Sequence, residues 1–276
     1  MIEIAGQKNL QSVVITFDPH PRIVLDKDAA ELKLLTTLDE KLEIFESLGI
    51  DNVLVIRFSQ EFAKTPYEIY VKDYLAGKLG AKHIVMGFNH HFGQKRSGNH
   101  ETLLALGELY GYEVTEVSPR DFEGIVASST KIRQLMEEKD LELANKLLGY
   151  HYSVSGTVVH GRHVGATIGY PTANIKIDDS YKQLPAVGVY AVMVRIGNET
   201  YKGMCSVGYN PTFGKMGLSV EVNIFDFAED IYNREIRLGF VSFLRPEEKF
   251  ANVEALVKQL IKDKENSLLK LKDIHE

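Results

Sequence analysis

The sequence predicts an α/β half followed by an all-β half, and two observations carry that expectation. Between residues 12 and 117, short apolar β-branched runs alternate with helix-patterned stretches. That is the signature of a parallel sheet covered by helices on both faces. From 151 to 244, strand-like runs follow one another with turns between them. Such a succession predicts a closed barrel or a sandwich. The pattern changes near Gly149-Tyr150, which sets two domains, 1–149 and 150–276. A chain of 276 residues can bury two separate cores.

The opening "MIEIAG" reads as the middle of a helix. A parallel nucleotide-binding sheet usually carries its main phosphate loop after its first strand. That strand and loop have no counterpart here, so a chain starting at Met1 is expected to lack the loop. "SVVITF" (12–17) is a strand bounded by Asp18-Pro19. Residues 39–49 place Leu42, Phe45 and Leu48 on one helical face, with Gly49 as the stop. "NVLVIRF" (52–58) and "HIVMGF" (83–88) are strands separated by a helix over 66–80. A helix over 100–111 leads into the strand "YEVTEV" (112–117). The second half offers "YSVSGTVVH", "TANIKI", "GVYAVMVRI", "ETYKGMCSV", "SVEVNIFDF" and "EIRLGFVSF" as strands. A last helix is expected to open at Pro246, a favourable first helical residue, with Phe250, Val253, Leu256, Val257, Leu260 and Ile261 at helical spacing.

Composition excludes several function classes. The net charge of −6 argues against a general nucleic-acid binder. No apolar run reaches the ~18–20 residues that span a bilayer, so no membrane partner is expected and a channel or transporter is excluded. The first residues lack the layout of a signal peptide. One cysteine, Cys205, rules out an internal disulfide and fits a reducing, cytoplasmic location. Oligomeric state is not legible in the sequence.

Ligands on parallel sheets bind at the carboxyl ends of the strands. "TFDPHP" (16–21) stands at such an end, with Asp18 before, and His20 between, two prolines that stop ladder pairing. The alternative is a stiff turn with a solvated His20. "GFNHHFGQKRSG" (87–98) leaves a strand through glycines, aromatics and Lys95-Arg96, a composition suited to a flat ring and phosphates. His90 and His91 have no third ligand at metal spacing. "SSTKIRQLM" (128–136) opens a helix on capping hydroxyls and then places Lys131 and Arg133 near its positive end. A bound anion would resolve that conflict, while the plainer reading is a solvated surface helix.

In the second half, "GTVVHGRHVGATIGYPTANI" contains Gly156, Gly161, Gly165 and Gly169 without the spacing of a P-loop. Repeated glycines let backbone N–H groups approach phosphate oxygens. After rigid Pro171, Thr172 and Asn174 alternate to one side of a strand and offer two neutral oxygens. That set suits Mg·ATP, because Mg²⁺ takes a few protein oxygens and the rest from phosphate and water. A capped turn is the alternative. In "LSVEVNIFDF" (218–227), Val220, Val222 and Ile224 face the core while Glu221 and Asn223 face the other way. Glu221 is either a solvated exterior residue or the group that takes a proton from an attacking hydroxyl.

"TFDPHP", "GFNHHFG..RSG" and "SSTKIR", in that order, resemble the adenylyltransferase half of prokaryotic bifunctional riboflavin kinase/FMN adenylyltransferases (FAD synthetases). "GTVVHG", "GYPTANI", "GVYAV", "YKGMCSVGYNPTFG", "VEVNIFDF" and "LRPEEKF" resemble the riboflavin kinase half over residues 151–262. The resemblance implies a Rossmann-like nucleotidylyltransferase sheet with its first strand missing, then a six-stranded Greek-key β-barrel with a C-terminal helix. It implies ATP, riboflavin and FMN as substrates, with Mg²⁺. FMN would form in the barrel, and FAD and pyrophosphate in the first domain. The alternative is a kinase whose inactive first domain senses flavin or nucleotide.

By the same resemblance, Asp18, His20, Asn89, Ser128, Ser129 and Arg133 would contact nucleotide in the adenylyltransferase half. In the kinase half, Gly161, Gly169, Thr172, Asn174 and Asn210 would hold ATP and phosphate, and Thr172 and Asn174 also the metal. Glu221 would be the general base, and Arg245 would lie near the flavin end. His160 and the 162–168 flap would cover the nucleotide, and Asn210, Pro211 and Thr212 would lie in the loop beside that site. The flap departs from the family pattern at Arg162 and Ala166, so weaker or slower ATP use is expected, with Arg162 or His163 taking over a phosphate contact.

Overall fold

A computed structural model describes residues 1–26, 31–161, 164–209 and 218–274. The chain folds as two compact units, Met1–Arg120 and Asp121–Glu276.

The first unit begins with helix α1 (Ile2–Lys8), as the opening residues predict, and strand β1 (Val13–Asp18). A short helix α2 (Pro21–Leu25) follows, capped by the His20 imidazole, which accepts from Arg22 N–H at 3.2 Å. Helix α3 (Leu38–Ser47) starts one residue before the expected 39 because Thr37 and Glu40 form a reciprocal capping box. Strand β2 (Asn52–Arg57) precedes α4 (Tyr67–Ile69), which continues as a π-helix over Tyr70–Lys78. Strand β3 (His83–Gly87), helix α5 (His100–Tyr110) and strand β4 (Glu113–Val117) complete the unit.

The strands pair in parallel, as expected, but as two pairs: β1 with β2 and β3 with β4. Apolar packing joins what hydrogen bonds do not. Ile15 of β1 packs against the buried cluster of Val71, Leu75, Met86, Leu103 and Tyr112.

The second unit opens with a small hairpin, β5 (Asp121–Phe122) and β6 (Ile125–Val126). Helices α6 (Ser129–Glu137) and α7 (Leu141–Leu148) lie before the barrel in sequence. Asn145 fastens α7 to the barrel strands. Its amide donates to the Phe240 carbonyl at 2.8 Å and its oxygen accepts from Tyr152 N–H at 2.8 Å.

The barrel is built from β7 (Tyr152–Val159), β8 (Ala173–Lys176), β9 (Gly188–Ile196), β10 (Glu199–Tyr209), β11 (Leu218–Ile224) and β12 (Glu235–Arg245). A one-turn helix α8 (Val164–Thr167) lies between β7 and β8. The barrel closes in the order β10-β11-β8-β7-β12-β9 with every pairing antiparallel. Closure leaves no edge strand. This is the six-stranded barrel the family resemblance implies, with Val154, Val158, Val192, Val220, Val222, Leu238 and Phe240 buried.

The C-terminal helix α9 spans Val253–Lys270, not from Pro246. Asn252 decides the start, because its side chain accepts from Ala255 N–H at 2.8 Å and caps the helix. Pro246 instead gives its carbonyl to the Arg245 guanidinium at 2.9 Å.

Candidate active sites

In the second unit, the antiparallel ladder of β8 and β11 sets Asn174 opposite Glu221. Residues Thr172 and Glu221, 49 apart in sequence, thereby meet: the Thr172 hydroxyl donates to the Glu221 carboxylate at 3.4 Å. Both line a cavity of about 210 Å³ on the barrel flank, with Ser206, Asn223, Arg245, Glu247, Leu256 and Asp263 among the other lining residues. Asn174 is nearly fully buried. The main chain at Gly161 runs so close that a Cβ there would stand 2.0 Å from the Asn174 amide nitrogen. A Cβ at Gly165 would stand 2.2 Å from the Tyr170 carbonyl oxygen. The lack of side chains at the two glycines thus lets the main chain pass close to Asn174 at Gly161 and close to the Tyr170 carbonyl at Gly165. Gly169 has φ of 83°, the left-handed turn that returns the chain from α8 to Pro171.

Arg245 also reaches the cavity, and it is held there. Its Nε lies 3.0 Å from both Asp263 oxygens and its Nη2 lies 2.8 Å from Oδ2. Gln259 donates to the same carboxylate at 2.8 Å. Asp263 is 1% exposed, so this forked pair is shielded from water. Sequence reasoning does not single out Asp263, Glu247 or Ser206. A signal existed for the first: Asp263 follows Leu256 and Leu260 on one helical face, an acid in line with apolar residues. Ser206 sits opposite Glu221 in the ladder and donates to Glu247 at 3.2 Å.

Only part of the expected flap lies within the described residues. The His160 ring stacks on Tyr232 with centroids 3.9 Å apart. Ala166 lies in α8. Arg162, His163, Asn210, Pro211 and Thr212 lie outside the described residues. Cys205 is fully buried, and burial pushes its thiol well above the usual range, with the Glu221 charge adding to the effect.

Three of the residues expected to bind nucleotide in the adenylyltransferase half fall in the first unit. Asp18 is exposed at the end of β1, and His20 is engaged as the α2 cap. Asn89 is exposed in the loop after β3, where its carbonyl lies 3.1 Å from His91 Nδ1. The base of that loop is clamped by paired Phe92–Gly98 backbone bonds of 3.1 and 2.9 Å. His90, beside it, is held below the ordinary imidazole range by burial first and by His91 and Arg96 next. Lys41 reaches Thr16 on β1 at 3.2 Å, and burial lowers its affinity for a proton against the pull of Asp18.

Ser128, Ser129 and Arg133 belong to the second unit. Ser128 caps α6, its hydroxyl accepting from Lys131 N–H at 3.2 Å, as the capping pattern predicts. Ser129 is exposed and Arg133 half-buried.

Residues 148–270 match the riboflavin kinase family model, and residues 1–131 match that of FAD synthetase. A Listeria monocytogenes protein named bifunctional riboflavin kinase/FMN adenylyltransferase is 43% identical over 266 residues, covering 96% of this chain and 84% of that protein. The Bacillus subtilis protein of the same name is 36% identical, covering 96% and 84%. The chain belongs to the bifunctional riboflavin kinase/FMN adenylyltransferase family.

As a member of this family the chain is an enzyme with a riboflavin kinase part and an FAD synthetase part, activities that imply ATP, riboflavin and FMN as substrates. Nothing in these matches favours an inactive first domain. A Streptococcus pneumoniae structure described as a macrolide-efflux protein aligns with a TM-score of 0.87 at 35% identity, covering 96% of this chain and 86% of that one. Among the described residues of this family member, no helix is long and apolar enough to cross a membrane.

Proposed function

We propose that residues 150–276 transfer the γ-phosphoryl group of ATP to the terminal ribityl hydroxyl of riboflavin, with Glu221 as the general base. Residues 1–149 then carry the adenylylation of FMN, with Asp18, His20 and Asn89 at the nucleotide. The kinase reading rests on one observation: the Thr172 hydroxyl and the Glu221 carboxylate meet at 3.4 Å on the wall of a cavity. Phosphoryl transfer asks for positioning and charge neutralisation, plus one group to orient the nucleophile. Glu221 accepts the proton of the attacking hydroxyl. Gly161 and Gly169 bring the backbone to the phosphates, and Arg245, held by Asp263, stands toward the flavin.

The donor set fits Mg²⁺. Thr172 and Asn174 offer neutral oxygens, and the described residues contain no cluster of three metal-binding side chains. A hard cation that draws its remaining oxygens from phosphate and water needs no such cluster. Thr172 and Asn174 would hold it, and it would supply neutralisation of charge on the phosphate oxygens. The single cysteine suits a reducing cytoplasm.

The test is chromatography of the products formed from riboflavin and excess ATP with Mg²⁺ present or chelated. FMN followed by FAD, both dependent on Mg²⁺, is the expected result. Absence of FMN from folded protein overturns the kinase assignment. Absence of FAD with FMN present overturns the adenylyltransferase one.

A further inference from the structure

We propose that Asn223 is a positioning residue for phosphoryl transfer, the group that sets the Thr172 hydroxyl against Glu221. The proposal rests on the reading of Thr172 and Glu221 as the kinase centre. The β8–β11 ladder runs through Ile175↔Val220, Asn174↔Glu221 and Ala173↔Val222, and ends there. Continued by one step, it would place Thr172 opposite Asn223. At that step a side chain takes over from the backbone: the Asn223 amide donates to the Pro171 carbonyl at 2.7 Å.

That carbonyl belongs to the peptide group linking Pro171 to Thr172. Pinning it fixes the plane from which the Thr172 side chain departs. Asn223 is 7% exposed, so its amide is a buried polar group and needs this partner. Asn223 and Glu221 are two residues apart on one strand and project to the same side. One rigid strand therefore carries both the acid and the clamp on its partner. The Thr172–Glu221 contact of 3.4 Å is longer than an ordinary hydroxyl hydrogen bond, so a small rotation of the 171–172 peptide would break it.

The experiment measures FMN formation by full-length Asn223→Asp, Asn223→Ala and Asn223→His beside the parent, with melting temperature and the KM for riboflavin. Asn223→Asp keeps the shape but replaces the donor with an oxygen facing the carbonyl. Asn223→His returns an N–H near the position of the lost one. The expected result is a kcat lowered ~10- to 100-fold for Asn223→Asp and Asn223→Ala, the scale of a displacement of about 1 Å near reacting groups. The KM for riboflavin stays near the parental value, and Asn223→His recovers most of the rate. Asn223→Asp at parental kcat overturns the proposal. So does a folded Asn223→His as slow as Asn223→Asp, or a loss that appears in KM and melting temperature rather than in kcat. Thr172→Ala and Glu221→Gln run in the same assay separate the two levels. If either keeps the parental rate, the underlying kinase reading fails. If both are slow while Asn223→Asp is not, only the role of Asn223 fails.

Discussion

Gly161→Ala tests the site most directly, because the structure gives the size of the disturbance. A Cβ at residue 161 would lie 2.0 Å from Asn174 Nδ2, 2.6 Å from its Cγ and 2.9 Å from its Oδ1. Ordinary contact begins at 3.4 Å, so the amide must retreat by about 1.4 Å, the difference between 3.4 and 2.0 Å. Asn174 has little room to do so, being 5% exposed and paired in the ladder with both Glu221 and Val159. Overpacking of this kind costs about 1–3 kcal/mol of stability, which leaves most domains folded. The catalytic effect should be larger than the thermal one, since a shift of about 1 Å at a reacting centre can lower the rate ~100-fold. Initial rates of FMN formation across ATP concentrations, with a melting curve for each protein, measure both. The expected outcome is kcat/KM for ATP lowered ~10- to 100-fold with the melt still cooperative. Gly6→Ala is the control, because a Cβ at residue 6 meets nothing within 4 Å. Parental kinetics in Gly161→Ala would refute the placement of Asn174 at the phosphate end.

Glu221→Gln should lower kinase turnover ~100-fold or more, the scale of lost general-base help, with ATP affinity close to parental by titration. Cys205 should resist alkylation by iodoacetamide at pH 8 in the native protein and react at once in denaturant, since burial both shields the thiol and disfavours the thiolate. Glu142 accepts from Lys270 at 2.7 Å and from Ser242 at 2.9 Å, and these bonds hold its carboxyl below the ordinary value of 4.5. Its contribution is therefore full above about pH 4.5 and is lost as pH falls through the lower folded value. Glu142→Gln should flatten the acid limb of melting temperature against pH. The effect should be small, about 0.5 kcal/mol, because the pair is largely solvent-exposed.

The first half was legible because its helices and strands announce themselves locally. Ser128 caps the helix it precedes, and β-branched runs mark the strands. The misplaced start at Pro246 shows the limit of that signal: a proline is compatible with a helix start, but the Asn252 cap satisfies the orphan amides and fixes it. Glu221 was readable as either solvent-facing or functional, because alternation assigns a side to a residue but not what lies on that side. Asn223 carried the same ambiguity.

Local pattern determined the classes of element and the change from α/β to β near residue 149, and it marked the stretch "GYPTANI" as a candidate site. Those properties depend on neighbours within a few residues, whose spacing the chain states outright. The tertiary structure decided which distant residues meet. It brought Thr172 to Glu221 across 49 positions, Asn223 to Pro171 across 52, and Arg245 to Asp263 on the final helix. Barrel closure and ladder register set the first two meetings, and the packing of α9 against the barrel strands sets the third; register is fixed by the packing of whole strands rather than by any short run of residues.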